Sequence, residues 1–141
     1  LLSEQQLSEI LTQLVTARAD SARARAVADQ ARDALASGPS AALAALMALE
    51  GGGTLAADLN ERLASARRQR RQIVERFGEA HPEAARLDRE IAAAEALVTE
   101  ELERRAAGAE NEWRATESRV ASLKSGLEAA LDDTNADGAA L

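Results

Sequence analysis

Phe77-Gly78-Glu79-Ala80-His81-Pro82 separates two stretches whose apolar residues recur every three and four positions. Glycine suits the left-handed position that closes a helix. Proline suits the first position of the next one, where its missing N–H leaves no bond unmade. Glu83 then places a negative charge at the positive end of that helix's dipole. The stretch predicts a tight helix–turn–helix, and so short a loop makes its two helices antiparallel neighbours.

Upstream of the turn the seam is Ala56, Leu59, Leu63, Ala66, Arg70, Ile73 and Phe77, with Arg70 the one polar intruder and Thr54 the expected N-cap. Downstream it is Ala84, Leu87, Ile91, Ala94 and Val98, then Leu102 and Ala106 at steps of four. Spacing of three and four resumes through Ala109, Trp113, Thr116, Val120, Leu123, Leu127 and Ala130. The steps of four are a stutter-like phase shift, which locally unwinds a supercoil. A helix over 54–77 is about 36 Å long and one over 82–131 about 75 Å, so the first covers at most half of the second.

The remaining partner lies at the start of the chain. Ser3 and Gln6 form a capping-box pattern, with Leu2 and Leu7 as its hydrophobic staple. Leu7, Ile10, Leu14, Ala17, Ser21, Ala24, Ala28, Ala31 and Leu35 then run as a heptad seam that only Ser21 breaks. Ser37-Gly38-Pro39 is expected to stop this helix, and Gly51-Gly52-Gly53 breaks regularity again. Residues 37–53 are expected to be a linker, with Ser40 capping a short helix at 41–49. That helix carries Leu43, Leu46, Met47 and Leu49, and either packs on the bundle or forms a lipid-surface or subunit contact.

The fold expected from these elements is all-α: a long antiparallel coiled-coil hairpin of three helices, elongated, at about 4–36, 54–77 and 82–131. Residues 1–131 would form a single domain, with 132–141 as a disordered tail. A compact up-down-up bundle is the rival arrangement.

Composition supports helices lying side by side. The chain has 141 residues, one Phe, one Trp, no Tyr and no Cys, and its 46% hydrophobic content is dominated by alanine. Alanine buries little area but is the best helix former and lets backbones approach closely. The net charge of −7 disfavours nonspecific nucleic-acid binding, and aromatic residues for base stacking are missing. Without cysteine there is no thiol nucleophile, disulfide framework or Cys-based zinc site. His81 is the only histidine, so one chain assembles neither a His-based metal cluster nor a triad, and its plain role is in the turn before Pro82. Gly51-Gly52-Gly53 lacks the lysine and the preceding strand of a phosphate loop. No catalytic, cofactor or metal site is expected, and no enzyme activity.

Two features invite a contact. Arg67-Arg68-Gln69-Arg70-Arg71 is the densest charge run, and it wraps most of the helix circumference. It either pairs with glutamates of the facing helix or meets an acidic polymer or a neighbouring subunit. Trp113, on the seam of an alanine-rich coil, either packs against the first helix or sits at an oligomer interface.

Three motifs together resemble the Wzz/GumC-type polysaccharide co-polymerases. They are the Phe77-Gly78-Glu79-Ala80-His81-Pro82 turn between heptad segments, the later Asn111-Glu112-Trp113-Arg114-Ala115, and Leu11-Thr12-Gln13-Leu14 opening an Ala/Arg-rich helix. Phe77 stands where the family usually has Tyr, and Glu79-Ala80 replaces a Pro-Asn or Pro-Lys pair; the hairpin survives both changes. The resemblance implies a periplasmic segment of an inner-membrane-anchored protein that sets exopolysaccharide or lipopolysaccharide chain length. It further implies homo-oligomers and partnership with a polysaccharide polymerase or export channel, the membrane being reached only through segments outside this chain. Two alternatives stay open: the α-hairpin of a periplasmic adaptor of efflux or type I secretion, and a generic coiled-coil interaction module.

Overall fold

The computed structural model describes residues 3–50 and 53–140, which form four α-helices: α1 (Glu4–Ser37), α2 (Pro39–Glu50), α3 (Thr54–Phe77) and α4 (Pro82–Ala140). The start of α1 is a capping box. Ser3 N–H donates to Gln6 Oε1 at 2.9 Å, and Gln6 N–H donates back to Ser3 Oγ at 3.2 Å. Leu2 of the expected staple, and Gly51 and Gly52 of the glycine run, lie outside the described residues.

The three-helix coiled-coil hairpin is not the fold, because residues expected to form a linker make a fourth helix. Pro39 starts α2 instead of stopping the chain. It occupies the first helical position, where no donor is needed, and Ala42 N–H donates to Gly38 O at 3.0 Å. Gly38 alone makes the corner, at φ 104°, a conformation open to glycine and strained for other residues. Gly38 therefore takes the capping position expected of Ser40. Similarly, Gly53 and not Thr54 is the N-cap of α3. At the other end α4 continues through 132–140, where a tail was expected.

The chain divides into two units, Leu1–Val27 with Gly108–Leu141, and Ala28–Ala107. The second holds the end of α1, all of α2 and α3, and the first part of α4. One apolar cluster draws on all of them: Ala31 from α1; Ala42, Leu43, Ala45 and Leu46 from α2; Ala56, Leu59 and Leu63 from α3; Ala94, Val98, Leu102 and Ala106 from α4. Leu46 and Leu102 are fully buried. Small alanines let the helices close on these few large side chains, which supply most of the buried apolar area. On α2 the core residues are two adjacent pairs three apart, and that spacing sets a stripe down one side of the helix.

In the first unit two antiparallel segments, of α1 and α4, pack alone. Leu14, Ala17, Ser21 and Ala24 are buried on α1, while Trp113, Val120, Leu123 and Leu127 of α4 are only half-buried. A pair of helices covers each seam from one side, whereas four segments in the other unit enclose theirs.

Candidate functional site

The turn is built by backbone bonds and one imidazole. Gly78, at φ 84° and ψ 169°, occupies a region essentially reserved for glycine, and its N–H closes α3 by donating to Val74 O at 2.9 Å. His81 N–H donates to Gly78 O at 3.4 Å. Glu83 N–H donates to His81 Nδ1 at 3.1 Å, so the imidazole caps α4. The Phe77 ring lies 4.9 Å from the His81 ring, tilted by 32°, and stays 58% exposed. Pro82 opens α4. Phe77, Gly78, His81 and Pro82 thus form one structural knot, with Glu79 and Ala80 exposed on its crown.

Beside it, Arg86 donates to Glu83 at 3.1 Å and to Glu90 at 3.4 Å. The Arg86 hydrogen bond, reinforced by its charge, holds the Glu83 carboxyl below its ordinary pKa.

The arginine run divides into two kinds of residue. Arg67 pairs with Glu95 at 3.1 Å and Arg70 with Asp88, both across to α4. The Asp88 hydrogen bond and charge raise the Arg70 guanidinium above its ordinary pKa. Arg68 and Arg71 are exposed and make no ion pair with the described residues. The other polar intruder is satisfied in the same way, since Ser21 Oγ donates to Glu117 Oε1 of α4. No buried side-chain nitrogen or oxygen among the described residues lacks a partner.

Trp113 is half-buried, with the Arg25 guanidinium of α1 5.2 Å from its ring centroid. The Trp113 ring therefore meets α1, and it lies in the first unit while the arginine run and the turn lie in the second.

Among the described residues no group of three or more His, Asp or Glu is placed to hold a metal, and no helix is long and apolar enough to cross a membrane. Two of the grooves are interhelical. One of about 260 Å³, between α3 and α4, is lined by Leu55, Leu59 and Leu97 with Glu100, Glu101 and Arg104. Another of about 400 Å³, between α1 and α4, is lined mainly by hydroxyl, amide and charged side chains. Sequence reasoning missed the second groove, although Ser8, Thr12 and Thr16 recur every four residues along one side of α1. It also missed the capping role of the His81 ring.

No protein-family description and no solved structure matches the chain. Over 137 residues it is 31% identical to the succinoglycan biosynthesis transport protein ExoP of Rhizobium meliloti, an alignment covering 96% of this chain and 17% of that protein. The chain thus spans about a sixth of the length of the curated relative it matches, and along nearly all of its own length it is homologous to one segment of a polysaccharide biosynthesis and transport protein.

Proposed function

We propose that the chain is a helical scaffold segment of a Wzz/GumC-type polysaccharide co-polymerase, acting in the periplasm within a parent anchored in the inner membrane. The observation that carries this reading is the alignment to the succinoglycan transport protein, which runs through all four helices. The turn motif and the Trp113 segment support it independently.

The helix arrangement suits such a role. Ser21 meets Glu117 and Arg25 meets Trp113, so α1 and α4 run antiparallel in the first unit. The beginning of α1 and the end of α4 therefore leave that unit at the same end, as an arm inserted into a larger protein requires. Its mechanism is positional: homo-oligomers of such arms set spacing for a growing glycan beside its polymerase or export channel. The exposed crown of the Phe77–Pro82 turn, with Arg68 and Arg71, offers polar and cationic groups for those contacts. The chemistry performed here is recognition and not catalysis.

The test replaces residues 3–140 of the parent with a short Gly/Ser linker, checks membrane insertion, and measures the size distribution of exported polysaccharide. The expected result is a changed distribution or loss of export. A normally inserted protein with unchanged glycan length and yield would overturn the proposal.

A further inference from the structure

The first unit leaves one side of α1 bare. Glu4, Ser8, Leu11, Val15, Arg18 and Ala22 recur at steps of four and three, which places them on one stripe of the helix. The stripe lies about 100° around the axis from the seam that meets α4. All six residues are exposed. Leu11, at 48%, and Val15, at 68%, are large aliphatic side chains one turn apart and left in water. Beside them Leu7 and Ile10 are covered only in part.

The charges on this stripe are ordered. Glu4 stands seven residues before Leu11 and Arg18 seven after it. Neither makes an ion pair among the described residues. They lie about 21 Å apart along the helix, too far to meet each other. Seven residues make two turns, so the stripe maps onto itself when a second copy is turned about an axis through Leu11. Leu11 then meets Leu11, and Val15 of each copy falls opposite Leu7 of the other. Glu4 of each copy faces Arg18 of the other, with both ion pairs made at once. Parallel packing of the same stripes would set Glu4 against Glu4 and Arg18 against Arg18. The charge order therefore selects the antiparallel arrangement.

We infer that two copies of the chain pair back to back through this stripe of α1, antiparallel, about a two-fold axis at Leu11. The same patch serves both copies, so the contact is isologous and closes at two. The inference rests on the proposed association of arms and deepens it, because it names the surface and fixes its symmetry. A row of side chains along about 21 Å of one helix buries well under the ~1,200 Å² of a standard interface. The isolated chains therefore pair weakly, with a dissociation constant on the order of 0.1–1 mM.

The chain has no cysteine, so single substitutions report the geometry through disulfide formation. Under mild oxidation at about 0.5 mM chain, Leu11→Cys should give dimers at least tenfold faster than Arg18→Cys. The axis brings the two copies of position 11 together and holds the two copies of position 18 about 21 Å apart. Sedimentation equilibrium up to about 1 mM should show a monomer–dimer equilibrium for the unaltered chain. The double variant Leu11→Ser with Val15→Ser, at exposed positions, should keep its helical circular dichroism and stay monomeric. Arg18→Glu should weaken pairing at least tenfold, and adding Glu4→Arg to the same chain should restore it. Equal disulfide rates, an unaltered chain that stays monomeric, a serine variant that still pairs, or a charge reversal without restoration would each overturn the inference. Such a failure would leave the scaffold proposal standing, since that is scored by polymer length in the parent. An unchanged polymer length alongside specific pairing would refute the scaffold and not the pairing.

Discussion

Leu46→Ala is the sharpest perturbation of the second unit. Leu46 is fully exposed to neighbours and not to water: it lies at 0% accessibility in the cluster with Leu43, Leu59, Leu63, Val98 and Leu102. Truncation removes three carbons, which at ~0.8 kcal/mol per buried CH₂ is about 2.4 kcal/mol of lost transfer free energy. The void left among the other side chains adds to this, and fully buried leucines of this kind cost ~3–5 kcal/mol in total. Better helix propensity of alanine returns only ~0.2 kcal/mol. We therefore expect a loss of about 3 kcal/mol. Urea unfolding followed by circular dichroism at 222 nm reads this directly; with a slope near ~2 kcal/mol per M, the midpoint falls by about 1.5 M. Met47→Ala is the control. Its side chain is 40% exposed on the same helix, and it should lose less than about 1 kcal/mol. If Leu46→Ala cost under about 1 kcal/mol, or no more than Met47→Ala, α2 would be a loosely attached linker and the four-helix core would be wrong.

Three further expectations are independent of that one. Two glycine substitutions should have opposite signs: Gly78→Ala forces a side chain into a glycine-only backbone region and costs ~1–3 kcal/mol, whereas Gly108→Ala, a helical position with open space around it, gains ~0.5–1 kcal/mol. Thermal denaturation of the two variants side by side checks this. His81→Ala removes the imidazole cap and should cost ~1 kcal/mol, while His81→Asn, a strong N-cap residue, should recover most of it. On acidification the Glu83–Arg86 contribution should persist at neutral pH and be lost only as pH falls through the lowered Glu83 pKa; carboxyl titration by NMR would show the Glu83 midpoint below that of the same residue in an Arg86→Gln variant.

Much of this arrangement could be read from residue spacing alone. The seams of α1, α3 and α4 announce themselves because each repeats over several turns, and the polar interruptions of the α1 and α3 seams, Ser21 and Arg70, both find partners on α4. The turn was legible because Gly78 and Pro82 have few structural uses. The fourth helix was not, for a physical reason. Pro39 ends one helix and begins another with the same ring, and nothing local distinguishes a stop from a start. The twelve residues of α2, mostly alanine and leucine, also carry little periodic contrast, so only the tertiary partners reveal which side of α2 is buried. The last stretch of α4 runs through Asp132-Asp133-Thr134-Asn135, whose polarity alone does not terminate a helix. Among the candidate contact residues, the arginine run could be located but not divided: which arginines face α4 depends on where Asp88 and Glu95 fall across the interface.

The pairing of α1 with α4 is the structural claim on which the arm geometry depends, because it brings the beginning of α1 and the end of α4 to one end of the first unit. The chain has no native cysteine, so Thr16→Cys with Arg119→Cys, which line the same groove from opposite helices, can be joined by a short bis-maleimide. The account requires rapid cross-linking within single chains, independent of protein concentration. Cross-links formed only between chains, or none at all in a protein that keeps its helical spectrum, would contradict it.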